Sequence, residues 1–369
     1  MSTIHTPYRA IFCDLRTDRT IDILPLRDVS IDDYIGKPGA LSGTIPIPDS
    51  AIAARVARIE EGRTAVYLER GGDLWWGGIV WTSTLQSTDR GVVSLSLQAA
   101  TFDSYAARRR IREDITIPPS MEQVQAAEEL WRRMQATPGG DIGVTFEPQV
   151  MTDRYRTASW RDGDETEYSE AIEFLASGEH GFEHYISVFR DPATGARTRL
   201  LRLGSPRIHT GATDLVLDRP GAILSYSFPR DATRGGTTAR ARGASANTNQ
   251  TEESRPVVSA EQVAQDLITG GWPRIDLSSD HNEVSDKNVL TSLAKAELAQ
   301  ARGAVVIPAI TIRLGEMVPP TLLGRTARIR ITDEWFSEGL DARYRIIGAK
   351  VTPPERGRPD TAELYLEEA

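Results

Sequence analysis

The chain has 369 residues, of which 40% are hydrophobic and 26% are charged, and its formal net charge is -9. This composition is typical of a folded globular protein, and the length allows two or three cores of ordinary domain size. The acidic charge excludes a general phosphate-binding surface, so any contact with nucleic acid has to be local or non-adhesive. A single cysteine, Cys13, excludes an intramolecular disulfide, and with apolar and polar neighbours around it a small buried thiol is favoured over a nucleophile.

The N-terminus lacks the basic start and the apolar core of a secretory signal. No apolar run approaches the roughly 20 residues that a bilayer-spanning helix needs. We therefore expect a protein that is made and folded in the cytoplasm, without a membrane-spanning segment.

The first hundred residues predict β-strands throughout. Short apolar runs at 10–13 and 21–26 precede a loop rich in glycine and proline at 35–43. At 93–99, apolar residues alternate with polar ones, which is the period of a strand with one buried face.

A hairpin stands out within this region, at 63–81, with the sequence RTAVYLERGGDLWWGGIVW. Gly71 and Gly72 supply the positive φ angles of a tight hairpin turn. Three tryptophans crowd the second strand beside Gly77 and Gly78, where a backbone or a ring is able to approach closely. This segment, which includes Trp75, Trp76 and Trp81, predicts a packed barrel wall.

The pattern changes near residue 106. Ser120 to Gln123 has the form of a capping box and predicts a helix that ends at Pro138, and a second helix is expected at 167–177. Two strands at 182–189 and 197–203 then flank a turn with an early proline and a late glycine.

The β pattern returns after residue 213, with strands predicted at 223–228, 305–314, 327–331, 344–351 and 362–366. The stretch 231–255 carries almost no large apolar residue and predicts a long loop or a flexible connection between strands, and not part of a core. Two helices are expected next, one that starts at a capping box at 259–262 and one at 286–302.

This order predicts an α+β fold that is dominated by β-structure and contains two related β-barrel domains. The first barrel domain is expected at 1–105, an inserted α+β domain at 106–212, and the second barrel domain at 213–369. The last domain carries a helical insert at about 256–303.

Motifs that would carry chemistry are weak in this sequence. His180 and His184 have metal-binding side chains, but glycines interrupt any helix there and the HExxH order is missing, so exposed residues are favoured over a metal site. The acidic stretch 276–283 departs from the calcium-loop pattern. No phosphate-binding loop, serine elbow or readable triad is present. We therefore predict no catalytic, cofactor-binding or metal-binding residue, no cofactor, and no enzymatic activity.

One basic run is present, Arg108 to Arg110 with Arg112. A solvated or partner-facing segment between domains is favoured here over a contact with DNA.

Five segments resemble the minor tail proteins of long-tailed actinobacteriophages, which belong to the baseplate hub family. They are ILPL at 23–26, GKPGALSGTIPI at 36–47, GRTAVY at 62–67, LWWGGIVWT at 74–82 and ARYRIIGAKVT at 342–352. The family is similar to the hub of contractile phages and to the corresponding part of type VI secretion spikes. In those hubs, two related β-barrels per chain pack as a trimer.

The resemblance implies a structural virion protein: a trimeric tail hub at the distal tip, which adapts a six-fold tube to a three-fold tip and gates the passage of tape-measure protein and DNA. The implied partners are the distal tail protein, the tail tube protein, the tape-measure protein and a tip fibre or spike. DNA would pass through the lumen without specific binding. Because the chain ends shortly after the last predicted strand, we expect wall hydrolysis and receptor binding to belong to other tail proteins.

Two other functions stay open. A receptor- or carbohydrate-binding tail protein would stack sugars on exposed aromatic rings, and the candidates are Trp75, Trp76, Trp81, Trp160, Trp272 and Trp335. A cell-wall hydrolase would need a pair of carboxylates from distant parts of the chain, which sequence does not reveal.

Overall fold

The computed structural model describes residues 8–148, 151–177, 181–245, 255–282, 284–303, 308–315, 317–354 and 359–368. The chain is 44% strand and 18% helix, which confirms the predicted β-dominated class. It forms two compact units. The first contains the described parts of 1–175, 182–226 and 309–369, and the second contains those of 176–181 and 227–308.

Seven strands form the N-terminal set of the first unit, paired in the order β3–β4–β7–β6–β5–β1–β2. Every ladder in this set is antiparallel. The elements are β1 (Tyr8–Asp14), β2 (Thr20–Leu24), β3 (Arg27–Tyr34), β4 (Ala40–Ile47), α1 (Ser50–Val56), β5 (Thr64–Arg70), β6 (Asp73–Ser87) and β7 (Val93–Thr101), followed by a 3₁₀ helix at Phe102–Arg108.

The predicted hairpin is confirmed as β5 and β6. Gly71 and Gly72 form its turn with φ angles of 63° and 99°. A Cβ at Gly78 would lie 2.1 Å from the carbonyl oxygen of Ala100 and 2.4 Å from the ring of Trp76. The glycine therefore allows the close approach that the sequence predicts.

A middle segment follows, with β8 (Ile115–Ile117), α2 (Gln123–Ala136), β9 (Val144–Phe146), β10 (Ala158–Trp160), α3 (Tyr168–Ala176), β11 (His184–Arg190) and β12 (Arg197–Leu203). β10 pairs with β8, and β11, β12 and β9 form a three-stranded sheet. The predicted cap of α2 was wrong. Glu122, and not Ser120, caps the helix, because its carboxylate accepts from the backbone N–H of Val124 at 2.8 Å.

The rest of the chain contributes β13 (Leu215–Arg219), β14 (Ile223–Ser227), β15 (Thr238–Ser245), β16 (Pro256–Val258), β17 (Gln262–Val263), α4 (Gln265–Thr269), β18 (Asp276–Asp280), α5 (Lys287–Gln300), β19 (Ala309–Arg313), a 3₁₀ helix at Pro319–Thr321, β20 (Thr326–Ile331), β21 (Leu340–Thr352) and β22 (Thr361–Glu368). Six of these strands form the C-terminal set of the first unit, in the order β14–β19–β22–β21–β20–β13. β21 also pairs with β3, so the two sets belong to one 13-stranded sheet.

The second unit is a small sheet covered by α5. β15 is its central strand and pairs with β16, β17 and β18. The prediction for 231–255 was wrong at 238–245, which form β15, while 246–254 lie outside the described residues. Thr238, Ala239 and Ala241 are small and buried there, because a strand that lies close to a helix has little room for large side chains. The helix predicted from the box at 259–262 was also wrong. The Ser259 hydroxyl accepts from the backbone N–H of Ala241 at 3.0 Å, so it serves the sheet instead of a helix end.

Neither set of the first unit closes into a barrel among the described residues, which corrects the predicted barrels. Closure would require β2 to pair with β3, since these consecutive strands are the two ends of the N-terminal set. The available edge of β3 is occupied by β21 instead. The free edge of β2 is covered by α1 and the residues after it, because Arg55 donates to the carbonyl of Ile23 at 3.0 Å and Arg58 donates to that of Ile21. In the C-terminal set the end strands, β13 and β14, are likewise consecutive, and in the described part of the chain no ladder joins them.

The domain boundaries predicted at residues 105 and 212 stay a prediction. The N-terminal set, the middle segment and the C-terminal set all lie within the first compact unit.

Candidate assembly junction

The two strand sets meet at a short ladder, which we call the assembly junction. Residues 31–34 of β3 pair with residues 348–351 of β21, from Ile31 opposite Val351 to Tyr34 opposite Gly348. β21 reaches this position because it has 13 residues: its first half pairs with β20 and its second half with β3. The ladder makes one continuous sheet from residues more than 300 positions apart in the chain.

Two further contacts fix the N-terminal set at the assembly junction. The indole N–H of Trp76 donates to the backbone carbonyl of Asp32 at 2.9 Å, so the tryptophan hairpin holds β3 in place. Arg70, at the end of β5, forms an ion pair with the buried Asp360 just before β22. The hairpin of the N-terminal set therefore contacts β3 at the junction and the residue that precedes β22, the strand next to β21.

Arg345 is the most buried cation at this site, with 1% of its side chain exposed. Its guanidinium donates to Glu183 of the middle segment, to Glu367 of β22 and to the carbonyl of Ile208, at 2.7, 2.7 and 2.9 Å. A buried charge is tolerated only when it is paired and hydrogen-bonded. Arg345 thus ties the middle segment to the C-terminal set.

A second buried charge, Glu69 of β5, ties the middle segment to the N-terminal set. It is 1% exposed and forms ion pairs with Arg9 of β1 and Arg190 of β11. Burial raises the pKa of Glu69, but its hydrogen bonds to the two guanidiniums outweigh burial and lower the pKa below its usual value. Arg190 also donates to the carbonyl of Gly72 at 3.0 Å, so it binds the turn of the hairpin directly.

A third cluster surrounds Asp18, in the turn between β1 and β2. Arg197 and the buried Arg199 of β12 lie 2.8 and 3.0 Å from its carboxylate oxygens. Arg199 also donates to the hydroxyl of Tyr67 at 2.7 Å and lies 4.3 Å above the ring of Phe102. These contacts attach β12 to the face of the N-terminal set.

Three acids in or near the junction, Asp32, Asp33 and Asp103, have raised pKa values, with burial as the main cause. Burial raises the pKa of Asp103 to about 6, although the hydroxyl of Thr101 and the backbone N–H of Ser104 favour its ionised form. Burial also raises the pKa of Asp33, with a further contribution from the charge of Asp103. Because of burial, carboxyl groups in and near the assembly junction bind their protons more tightly than exposed carboxyl groups do.

The tryptophans named in the sequence analysis have different environments. Trp75, Trp76 and Trp160 are buried and belong to the core. Trp81 and Trp272 are half-buried, and the indole N–H of Trp81 donates to Ser104 at 2.9 Å. Trp335 is 76% exposed. Only the last of these presents most of its ring to solvent.

The basic run lines an open cleft of about 400 Å³. Arg110 and Arg112 pair with Glu167 and Glu165 at 2.6 and 3.3 Å, and Arg109 donates to the hydroxyl of Tyr105 at 2.8 Å. The guanidinium of Arg108 lies 5.5 Å from the ring centroid of Trp81. Ion pairing thus reduces the positive charge that this cleft offers to a partner.

The remaining candidates show no reactive arrangement. Cys13 is buried, as predicted, and burial raises its thiol pKa. His184 is half-buried, which corrects its predicted exposure, and His180 lies outside the described residues. Burial lowers the pKa of His184 to about 4, so its imidazole is neutral at pH 7. Within the described ranges, no group of three or more His, Cys, Asp and Glu side chains is placed to hold a metal ion. Those ranges also include no helix with the length and apolarity of a membrane span.

The buried charges at the junction were missed in the sequence analysis. A usable signal existed for Glu69 and Arg345, because each is a charged residue beside buried apolar neighbours within one strand. No such signal marks the partnership of Asp18 and Arg199, which lie 181 positions apart.

Solved structures of phage tail proteins share this fold. The 43 kDa tail protein of prophage MuSo2 from Shewanella oneidensis is similar with a TM-score of 0.60 and 12% identity, over 98% of both chains. A tail protein from Neisseria meningitidis MC58 gives a TM-score of 0.57 and 14% identity, over 98% of this chain and 96% of that one. The prophage tail protein gp18 from Listeria monocytogenes EGD-e gives a TM-score of 0.53 and 11% identity, over 97% and 94%.

At these identities the likeness concerns the fold, which is that of phage tail proteins along nearly the whole chain. No protein-family model matches the sequence, and no curated protein matches it.

Proposed function

We propose that this chain is a structural virion protein, the trimeric hub at the distal tip of a long phage tail. The observation that carries the proposal is the assembly junction, which joins a seven-strand set and a six-strand set edge to edge within one chain. Each copy thereby offers two β-walls, so three copies offer six. A ring of this kind adapts a six-fold tail tube to a three-fold tip, and repeated contacts between unlike patches close such a ring.

The partners follow from this position. The distal tail protein and the tail tube protein lie above the hub, a fibre or spike protein lies below it, and the tape-measure protein and DNA pass through its lumen. The hub gates this passage, has no cofactor and is not an enzyme. It is made in the host cytoplasm and resides in the tail tip of an actinobacteriophage virion. A relationship to the hubs of contractile phages and type VI spikes is part of the same proposal.

The charge of the chain supports passage of DNA without specific binding. The net charge is -9, and the exposed face of the C-terminal set pairs its arginines with aspartates, as in Arg328–Asp341 and Arg330–Asp218 at 2.6 Å each. Such a face presents no excess of cations to phosphate. A trimer structure whose lumen is lined mainly by arginine and lysine would contradict this part of the proposal.

The test of the function is the location and copy number of the protein in virions. Antibody labelling of purified particles, followed by electron microscopy, should place the chain at the tail tip with three copies. Label along the tube, or on the head, would contradict the proposal. Zymography on host cell wall provides the check on enzymatic activity, and clearing that a single carboxylate substitution abolishes would show a wall hydrolase.

A receptor- or carbohydrate-binding role is the second candidate, and exposed Trp335 favours it. Trp335 belongs to a turn in which Asp333 accepts from the backbone N–H groups of Trp335 and Phe336, both at 3.0 Å. Binding of the protein to a glycan array, lost in Trp335→Ala, would support this role.

A further inference from the structure

The hairpin formed by β6 and β7 ends in an arm that lies beyond the covered part of the sheet. Residues 82–87 of β6 pair with residues 93–98 of β7, and β7 pairs on its other side with β4. β5 pairs with β6 only from Asp73 to Ile79. Trp81 has no partner in the register of β6 with β7, because a bulge lies between Val80 and Thr82. The pairing of β6 with β5 has ended by this point. From Thr82 onward, β6 is therefore an edge strand.

This edge lacks two of the features that usually protect a sheet edge from a second strand, a charged side chain and a proline within the strand; the bulge lies at its start, and the carboxylate of Glu61 accepts from the hydroxyl of Ser83. Its sequence is TSTLQS, with no charge and no proline. Leu85 is 67% exposed, and Val92, just before β7, is 61% exposed. Among the described residues, β7 provides the backbone hydrogen bonds of 83–87, and no group bonds to the outer backbone positions.

Two other edges of the same sheet are blocked. Arg55 and Arg58 donate to the carbonyls of Ile23 and Ile21 on β2. On β14, the carbonyl of Leu224 accepts from Arg219 at 3.1 Å. Guanidinium groups thus occupy carbonyls on these two edges within the single chain, whereas the edge at 82–87 has no such group on its outer backbone positions among the described residues.

We propose that the arm edge at 82–87 pairs with a β-strand of a second copy of this chain. Strand pairing between separate sets already occurs within one copy, where β3 meets β21. Copies that each carry a charge of -9 repel one another, and an uncharged strand is a place where they approach without adding like charges. The added strand satisfies the outer backbone groups, and Leu85 loses part of its exposure. The proposal deepens the trimeric hub proposed above and rests on it.

The test compares self-association of the full chain with that of arm variants. Leu85→Lys places a charge at the edge, and the association constant measured by sedimentation should fall about tenfold or more. Leu85→Ser is a milder variant in case the lysine disturbs the hairpin. Val263→Lys is the matched control, because Val263 is an exposed apolar residue outside the arm, and its association should equal that of the unchanged chain.

Hydrogen exchange gives an independent readout. Amides of 83–87 should exchange slowly at high protein concentration and rapidly on dilution, in step with dissociation. Unchanged association of the Leu85 variants, or arm exchange that does not depend on concentration, overturns the inference. If the chain is nevertheless found at the tail tip, the proposed function survives. If the arm pairs as described but the chain is absent from the tip, the proposed function fails instead.

Discussion

The covered wall and the open wall of the first unit differ in how many of their faces are buried. The covered wall consists of β5 and residues 74–80 of β6, where nearly every side chain is buried. The open wall consists of β20, β22 and the first half of β21. On β20, Ala327, Ile329 and Ile331 are buried and alternate with the more exposed arginines Arg328 and Arg330.

The difference arises because the middle segment packs on the covered wall. A Cβ at Gly77 would lie 2.8 Å from the ring of Tyr67 and 3.1 Å from the side chain of Val188 on β11. Burial on both faces removes the alternation of apolar and polar residues, whereas burial on one face preserves it. In this fold, a strand whose apolar and polar residues do not alternate therefore marks a face on which another segment of the chain packs.

The largest effect is expected for Trp76→Ala in the covered wall. The change removes a large buried ring and leaves the carbonyl of Asp32 without its indole donor, so we expect a loss of about 3–5 kcal/mol in the free energy of unfolding. Denaturant titration monitored by far-ultraviolet circular dichroism measures this loss. Trp335→Ala, at an exposed ring, should change stability by less than about 0.5 kcal/mol. A stable, assembly-competent Trp76 variant that loses only adsorption to cells would instead place this ring in a binding site.

Arg345→Met tests the contact between the middle segment and the open wall. Removal of the guanidinium leaves Glu183 and Glu367 without their main cation, which should cost on the order of 3 kcal/mol. Arg343→Met is the matched control, two residues away on the same strand. Its ion pair with Asp214 is exposed, and we expect a loss of no more than about 1 kcal/mol. Equal losses in the two variants would contradict the distinction between buried and exposed charges.

Asp103→Asn tests the buried acid beside the assembly junction. Because the folded-state pKa of about 6 lies above the ordinary value of 3.8, the folded protein binds the proton more tightly than the unfolded chain. Stability should therefore rise as the pH falls from 7 through 6 towards 4, and Asp103 contributes on the order of 2–3 kcal/mol to this rise. The asparagine variant should be more stable at pH 7 and show a weaker pH dependence in thermal melts. The control is Asp89→Asn in the exposed turn of the arm, and a less stable Asp103→Asn protein at pH 7 would show that the ionised form is favoured in the fold.

The smallest effect is expected in the open wall itself. A double-mutant cycle on Arg328 and Asp341, with alanine at each position, should give a coupling energy of about 0.2–1 kcal/mol, because the pair is solvent-exposed. The coupling should decrease further at high salt. A coupling above about 2 kcal/mol would show that this wall is less open than the single chain indicates.

Much of the local structure could be predicted from sequence. The turn glycines of the hairpin, the helix α2 and the strand β20 were predicted correctly, because each depends on near neighbours in the chain. β15 was missed because its small residues carry no hydrophobic signal, although they are what a close helix requires. The predicted barrels were wrong because closure depends on which distant strand pairs with β3, and that strand is β21.

Local sequence patterns account for the β-dominated class, the tight hairpin and the placement of most strands. These follow from backbone preferences and from the two-residue period of side chains. Long-range packing, in contrast, sets the pairing of β3 with β21, the burial of Arg345 and Glu69 with their partners, and the unpaired state of the arm edge. Each of these depends on groups that are far apart in the chain, and no local pattern in the sequence records which distant groups will meet.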